Sequence, residues 1–436
     1  MKVVAFLPAK GTSERIKSKN LKLLNGKPLF LHTLEKLITC DFIDEVYLDS
    51  EADEILDYAD YLDYKKLKRD PSFATNKTDG HRMFYNEISH VDADIYVQIL
   101  CTSPFITPQT IKKGIDILLN DENYDSVVLM CREKQYLWRD EGNGKNEPLY
   151  DKYNIPNSNT LPDTLIESMG LYIIRSDVAH RLKMRYGERV YMLTADAIET
   201  IDVNFPDEFQ LAENIMRGIA EKENSRRHII EKFLDSAVLS DILNDLGIVS
   251  TISGLFPNIP NKKIFARANT LKLRPMKSDD DYHKIYEGLD TYERITPGEV
   301  IVVENDVEDR AYFGKLNAHL AIRAGAVGVV VSSVTRDIDA VCALDFPVFS
   351  KGYSCADVKR YAVVDGHQVP VQINGVKIFP GDLIFADRCG VVRIPRQYER
   401  NVLQKAIEVI DKETRILKRV LAGEESHNIY LHEGEF

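Results

Sequence analysis

Four cations crowd one short stretch near the start of the chain. Lys10, Arg15, Lys17 and Lys19 lie in LPAKGTSERIKSKN, from Leu7 to Asn20, around Gly11 and the hydroxyls of Thr12 and Ser13. The stretch follows an apolar run, VVAFLP, in a chain whose formal net charge is -12. Positive charge concentrated in an acidic protein points to one local anion. A loop rich in Gly, Ser and Lys behind a buried strand suits phosphate, because backbone N–H groups donate and basic side chains neutralise the oxyanions. A triphosphate needs several such cations. The competing reading makes Lys17, Lys19 and Lys22 solvated lysines on a helix face.

Other candidates are weaker. Arg336-Asp337 fits a site or a structural ion pair at a strand end. Asp202 fits a ligand position, a helix N-cap or a satisfied turn. His319 and His367 have no partner at metal-binding spacing and read as surface or helix-face residues. The six cysteines contain no CxxC, and the closest two, Cys342 and Cys355, are thirteen apart. That spacing excludes a zinc ribbon and fits a reducing, cytoplasmic setting. Overall acidity argues against a nucleic-acid or anionic-membrane binder. The apolar run at the N-terminus is too short for a signal peptide, and no run is long enough to span a membrane.

The elements that must position these residues alternate through the first half. VVAFLP, EVYLDS, IYVQIL and DSVVLMC read as strands. LFLHTLEKLITC, EADEILDYADYL and PQTIKKGIDILLN read as helices between them. This predicts an α/β fold with a doubly wound, mostly parallel sheet. Arg132 to Asp163 is polar and rich in Gly, Asn and Pro, as expected of a lid or an oligomer arm. A helix near Glu208 to Glu221 leads into AEKENSRRH, which marks a boundary between domains at 1–222 and 226–436. The second half opens on HIIEKFLDSAVLSDILNDLG as a helix. It then turns rich in strands, and a last helix runs from about Tyr398 to Leu421.

AKGTSERIKSKNLKLLNGKPL resembles the N-terminal signature of the sialic and ulosonic acid cytidylyltransferases. The matching positions are Ala9, Lys10, Ser13, Arg15, Lys19, Asn20, Leu24, Gly26, Pro28 and Leu29. RDPSFAT from Arg69, TSPFIT from Thr102, ESMGLYIIR and TIDVNFPDEFQLAE follow in the family's order over about residues 1–220. The resemblance implies transfer of CMP from CTP to an acidic sugar, for surface glycan synthesis. Lys10, Arg15 and Lys19 would hold the triphosphate and the leaving pyrophosphate. Ala9, Gly11, Ser13, Asn20, Arg69, Thr102 and Ser103 would form the nucleotide pocket. Mg²⁺, with Mn²⁺ as the alternative, would sit on Asp202 and Asn204. The family has Asp at the second of these positions, Arg at Lys10, Gln at Leu100 and often Arg at Ile106. A lost polar contact at Leu100 points to an acceptor other than ordinary sialic acid, with a phosphonate as one alternative.

The second half resembles the family of the regulator of ribonuclease E activity and the 4-hydroxy-4-methyl-2-oxoglutarate aldolases, an α/β domain. The resemblance rests on Pro297-Gly298, Gly314, Gly325, Gly328, Arg336-Asp337, Phe346-Pro347-Val348-Phe349, Pro380-Gly381-Asp382, Asp387 and Gly390-Val391. It implies cleavage of a 4-hydroxy-2-oxo acid to pyruvate. Arg336 would face enolate charge, and Asp337 would hold a divalent metal such as Mg²⁺. The N–H groups of Lys315, Leu316 and Asn317, after Gly314, would take the substrate carboxylate. Some active aldolases have an acid where this chain has Lys315, so a non-catalytic module for oligomerisation or protein binding is the alternative. Both resemblances imply a homo-oligomer.

Overall fold

The computed structural model describes residues 1–75 and 78–434. The chain divides into two compact units, Met1–Glu213 and Asn214–Phe436.

The first unit is built on a seven-stranded sheet. Its strands, in spatial order, are Val190–Thr194, Ser126–Glu133, Thr164–Arg175, Ile95–Ile99, Val3–Pro8, Glu45–Ser50 and Lys65–Lys68. All pair in parallel except Thr164–Arg175, which runs antiparallel to both neighbours. Val3–Pro8 is buried along its whole length, as its unbroken apolar run requires of a central parallel strand. Helices Leu29–Ile38 and Pro108–Asn120 pack on one face through Phe30, Leu34, Ile111 and Ile115. Helices Gly80–Ile88 and Ser176–Leu182 cover the other through Phe84, Ile88, Val178 and Ala179.

No helix lies within the basic stretch. Residues 9–22 form turns, with Ser18 at φ 48°. A minimal hairpin then pairs Leu23–Leu24 with Lys27–Pro28 across Asn25 and Gly26, at φ 49° and 82°. Two positive φ values in a row demand such residues. The lysines are therefore not on a helix face. EADEILDYADYL is helical only over Asp53–Leu56. Lys66 holds the Asp57 and Asp60 carboxylates, and Tyr58 meets the edge of Phe30, so tertiary contacts turn the chain where propensity continued it. Arg132 to Asp163 contains the hairpin Trp138–Asp140 with Asn146–Pro148 and a short 3-10 turn at Ser158–Thr160.

The sequence places the domain boundary at AEKENSRRH. Helix Pro206–Glu231 runs through it, and the division between the units falls inside that helix. The run has no Gly or Pro and is rich in helix formers. HIIEKFLDSAVLSDILNDLG is two helices rather than one. The second, Ser236–Asp245, starts where the Asp235 side chain accepts the N–H of Val238 at 2.9 Å.

The second unit holds a nine-stranded mixed sheet. Its centre is Leu383–Asp387, Ile264–Pro275, Glu299–Asn305 and Gly328–Val331. Helices Lys315–Ala324, Ile338–Ala343, Ser236–Asp245 and Glu399–Leu421 all pack on one face, and the hairpin of Val371–Ile373 with Val376–Ile378 covers the other. Among the described residues, no helix is long and apolar enough to cross a membrane.

Candidate functional site

Strand Val3–Pro8 ends at Ala9, which is buried and donates its N–H to the Asp49 carbonyl at 2.8 Å. Beyond it the loop opens into a cleft of about 340 Å³ lined by Lys10, Thr12, Ser13, Glu14, Arg15, Lys19 and Asn20. The geometry thus gathers the predicted basic residues. Gly11 donates its N–H to Glu51 Oε1 at 2.7 Å. A Cβ at Gly11 would lie 2.6 Å from that of Ala52, so the loop passes too close for a side chain.

Arg69 stands elsewhere than expected. Strand Lys65–Lys68 pairs beside Glu45–Ser50, which delivers Arg69 to Asp49 and Glu51. Its side chain is 2% exposed, and its guanidinium lies 3.5 Å from Asp49 Oδ2 and 3.4 Å from Glu51 Oε2. Arg69 thus reaches the loop through Glu51 instead of lining the cleft. Burial pushes the Asp49 and Glu87 carboxyls up, against the pull of Arg69.

Asn20 is buried and engaged at both ends. Its Nδ2 donates to the Lys10 carbonyl at 2.8 Å, and its Oδ1 accepts from Cys101 Sγ at 3.1 Å. Burial pushes the Cys101 thiol up to about 12, so it remains a donor.

The two inner cations converge on the turn before helix Pro206–Glu231. Arg15 Nη2 donates to Asn204 Oδ1 at 3.0 Å, with its guanidinium 5.0 Å from the Phe205 ring centre. Lys19 Nζ donates to the Val203 carbonyl at 2.7 Å and to Asn204 Oδ1 at 3.4 Å. Lys19 is only 8% exposed, and desolvation lowers its pKa below the ordinary lysine value. Asn204 Nδ2 donates to Asp202 Oδ2, while Asp202 Oδ1 is buried with no hydrogen-bond partner. Asp202 and Asn204 are therefore not an equivalent pair of metal ligands: the Asn204 oxygen faces two cations, and the free oxygen is on Asp202. Val203 N–H donates to the Thr102 carbonyl at 2.8 Å, which joins this turn to the TSPFIT segment. There Ser103 Oγ is buried without a partner.

Two residues of this assembly escaped the sequence reading. Glu208 Oε2 accepts the N–H groups of Asn204 at 2.6 Å and Phe205 at 2.9 Å, fixing the turn. Its signal, an acid in a first helical turn, was present. Glu51 had none, because its role depends on two strands pairing.

The second unit brings its predicted residues together differently. Asp337, at φ 57°, holds a left-handed conformation rare for a side-chain-bearing residue. Its Oδ2 accepts the Lys315 N–H at 3.0 Å and lies 3.7 Å from Arg336 Nε. Arg336 also pairs with Asp357, which the sequence reading did not single out. A Cβ at Gly314 would lie 2.7 Å from Asp337 Oδ2, so glycine lets the carboxylate cap the helix. The expected carboxylate-binding N–H of Lys315 thus already faces a carboxylate of this chain. Leu316 is exposed, and the Asn317 amide turns back to the Tyr312 carbonyl at 2.8 Å. Among the described residues, no three His, Cys, Asp or Glu side chains gather to hold a metal. The Asp337 Oδ2 expected at a metal is thus engaged by the Lys315 N–H and lies beside Arg336.

The comparisons agree with this division. The Cytidylyltransferase family model matches residues 4–147, and the Aldolase/RraA model matches residues 236–393. A CMP-N,N'-diacetyllegionaminic acid synthase of Legionella pneumophila is 26% identical over 50% of this chain and 97% of its own length. A putative 4-hydroxy-4-methyl-2-oxoglutarate aldolase of Halalkalibacterium halodurans is 33% identical over 40% of this chain and 78% of its own. Protein DlpA of Legionella pneumophila is 31% identical over 46% of this chain, and the match spans only 33% of that longer protein. The C-terminal half of the chain belongs to the Aldolase/RraA family, and the N-terminal half matches the Cytidylyltransferase model over residues 4–147.

Proposed function

We propose that the N-terminal unit transfers CMP from CTP to a ulosonic-acid-like sugar acid and releases pyrophosphate. The observation that carries this is the cleft in which Arg15 and Lys19 converge yet end on neutral oxygens. Their charge is left for a polyphosphate. The relative that makes CMP-N,N'-diacetyllegionaminic acid supports the acceptor class. An acceptor hydroxyl oxygen bonds to the α-phosphorus as the bond to the pyrophosphate oxygen breaks. Lys10, Arg15 and Lys19 neutralise the charge that builds on the phosphoryl group and the leaving pyrophosphate. Mg²⁺, or Mn²⁺ in its place, is commonly held by one or two carboxylates plus substrate phosphates. The unpartnered Asp202 Oδ1 fits that role. When bound, the ion would neutralise phosphate charge.

The test is pyrophosphate release from CTP across nine-carbon and eight-carbon sugar acids, with and without Mg²⁺. Release with at least one of them is expected. CTP binding without release from any sugar acid would move the acceptor to another class, such as a phosphonate. Absence of CTP binding would overturn the reading.

For the C-terminal unit the geometry favours a retained fold over a lyase, and our reading of that fold is that it assembles the chain into a homo-oligomer. Arg336 is already flanked by Asp337 and Asp357, and the Lys315 N–H is taken. Pyruvate release from a 4-hydroxy-2-oxo acid by the full chain, in any divalent metal, would overturn this. Light scattering of the full chain reads the assembly.

A further inference from the structure

One buried cation in the first unit is unaccounted for. Arg185 is only 8% exposed, and its Nε has no hydrogen-bond partner. Among the described residues its side chain makes no ion pair. Its guanidinium instead lies over the Tyr172 ring, 4.3 Å from the centroid. Tyr172 is itself buried, and its hydroxyl donates to Glu167. A ring face attracts a cation but does not replace the counter-charge that burial makes necessary. The surroundings are nonetheless shaped for this group. A Cβ at Gly80 would lie 2.0 Å from Arg185 Nη2 and 2.3 Å from Cζ, so the helix that starts there leaves its first side chain out to admit the guanidinium. Tyr186 stacks near Tyr172 and meets the edge of His81. The result is an aromatic bed around a fixed positive charge.

Its place in the sheet says which anion fits. Tyr172 pairs with Gln98, and Gln98 with Phe6, so the bed lies toward the end of the sheet where the basic loop emerges. Open sheets of this kind bind ligands at that end. Strand Ile95–Ile99 separates Tyr172 from the strand that carries the basic loop. Two strand spacings are about 10 Å. The triphosphate has its own cations on that loop. A second cation, bedded in rings and displaced along the sheet edge, suits the other reactant, whose acid group and carbon skeleton need a charge and an apolar surface.

We propose that Arg185 is the receptor for a carboxylate of the sugar-acid acceptor, with Tyr172 and Tyr186 supporting it. This rests on the transferase reading given above. An arginine fork matches a carboxylate or a phosphate, so the test must separate them.

The full chain is compared with R185M and R185K. Without ligand, R185M should unfold at the same temperature as the parent or higher, because an unpaired buried charge has been removed. CTP affinity by calorimetry should stay within about twofold, whereas KM for the sugar acid should rise at least tenfold in R185M and less in R185K, with kcat changing less. If no sugar acid supports turnover, the acceptor of the transferase reading moves to another class and Arg185 is judged by binding alone. N-acetylneuraminate and 3-deoxy-manno-octulosonate should then raise the parent's melting temperature by several degrees and leave R185M unmoved, while inorganic phosphate does neither. The proposal is overturned by any of three results: unchanged KM with a lowered melting temperature in R185M, a thermal shift that phosphate reproduces, or no shift with either acid.

Discussion

The two units each present a cation beside a turn, and they handle its charge in opposite ways. In the first, Arg15 and Lys19 point at the Asn204 amide oxygen and the Val203 carbonyl. These neutral acceptors orient the side chains, and Asp202 and Glu208 act on Lys19 only through space. In the second, Arg336 meets Asp357 directly and Asp337 at 3.7 Å. Its field is cancelled within the chain, and the adjacent helix start is capped by the same Asp337. A site that must hold a highly charged ligand keeps its cations uncompensated and accepts the cost in stability. A structural pair does the reverse. On the proposed reading, the contrast is the one expected between a binding site and a retained fold.

The sharpest way to break the comparison is to neutralise both inner cations. R15A together with K19A should lower pyrophosphate release by about a thousandfold or more. CTP affinity by calorimetry should be lost, with the far-UV circular dichroism unchanged. Retained CTP affinity would sink the assignment of the cleft. Next in size is E51A, which removes one of the two carboxylates beside the buried Arg69 and frees the Gly11 N–H. Urea denaturation should show a loss of about 3 kcal/mol, as expected for one partner removed from a buried pair. A fall in kcat/KM should follow, because the loop loses its anchor.

A pH profile sharpens the same point. Burial lowers the Lys19 pKa, so the folded protein disfavours its charged form. Stability from this group is therefore greatest above the unfolded lysine value and is lost as pH falls through the lowered one. CTP affinity runs the other way, since it needs the charge. It should begin to fall at a pH below the ordinary lysine range, and K19R should flatten that limb. Substituting N204D places a second carboxylate beside Asp202. The Mg²⁺ concentration for half-maximal pyrophosphate release should then drop roughly threefold or more, because a cation relieves the repulsion. The smallest effect belongs to the other unit. R336Q should change stability by no more than about 1 kcal/mol, given that the Arg336 and Asp357 side chains are 34% and 44% exposed. CTP turnover should be unaffected, and a large loss would show that Arg336 does more than pair.

Much of the first site was legible because its parts are contiguous. Lys10 to Asn20 is one loop, and an apolar strand before it is enough to place it at a sheet edge. The Asn25-Gly26 turn could likewise be read locally. Arg69 could not: its motif suggested the pocket, but strand pairing turned it onto Glu51. In the second unit the motif was again clear, yet the meaning of Arg336-Asp337 depended on Asp357, twenty residues beyond Asp337 and silent in any local pattern.

Residue order alone thus settled that two α/β units follow one another, where the basic loop lies and which charges it carries, since hydrophobic periodicity and local composition are properties of neighbours along the chain. Only the tertiary structure decided which charges are free to act. The state of Arg15, Lys19, Arg185 and Arg336 depends on what distant strands and turns bring within a few ångströms, and electrostatic energy is set by that separation and by burial, neither of which is written in spacing along the chain.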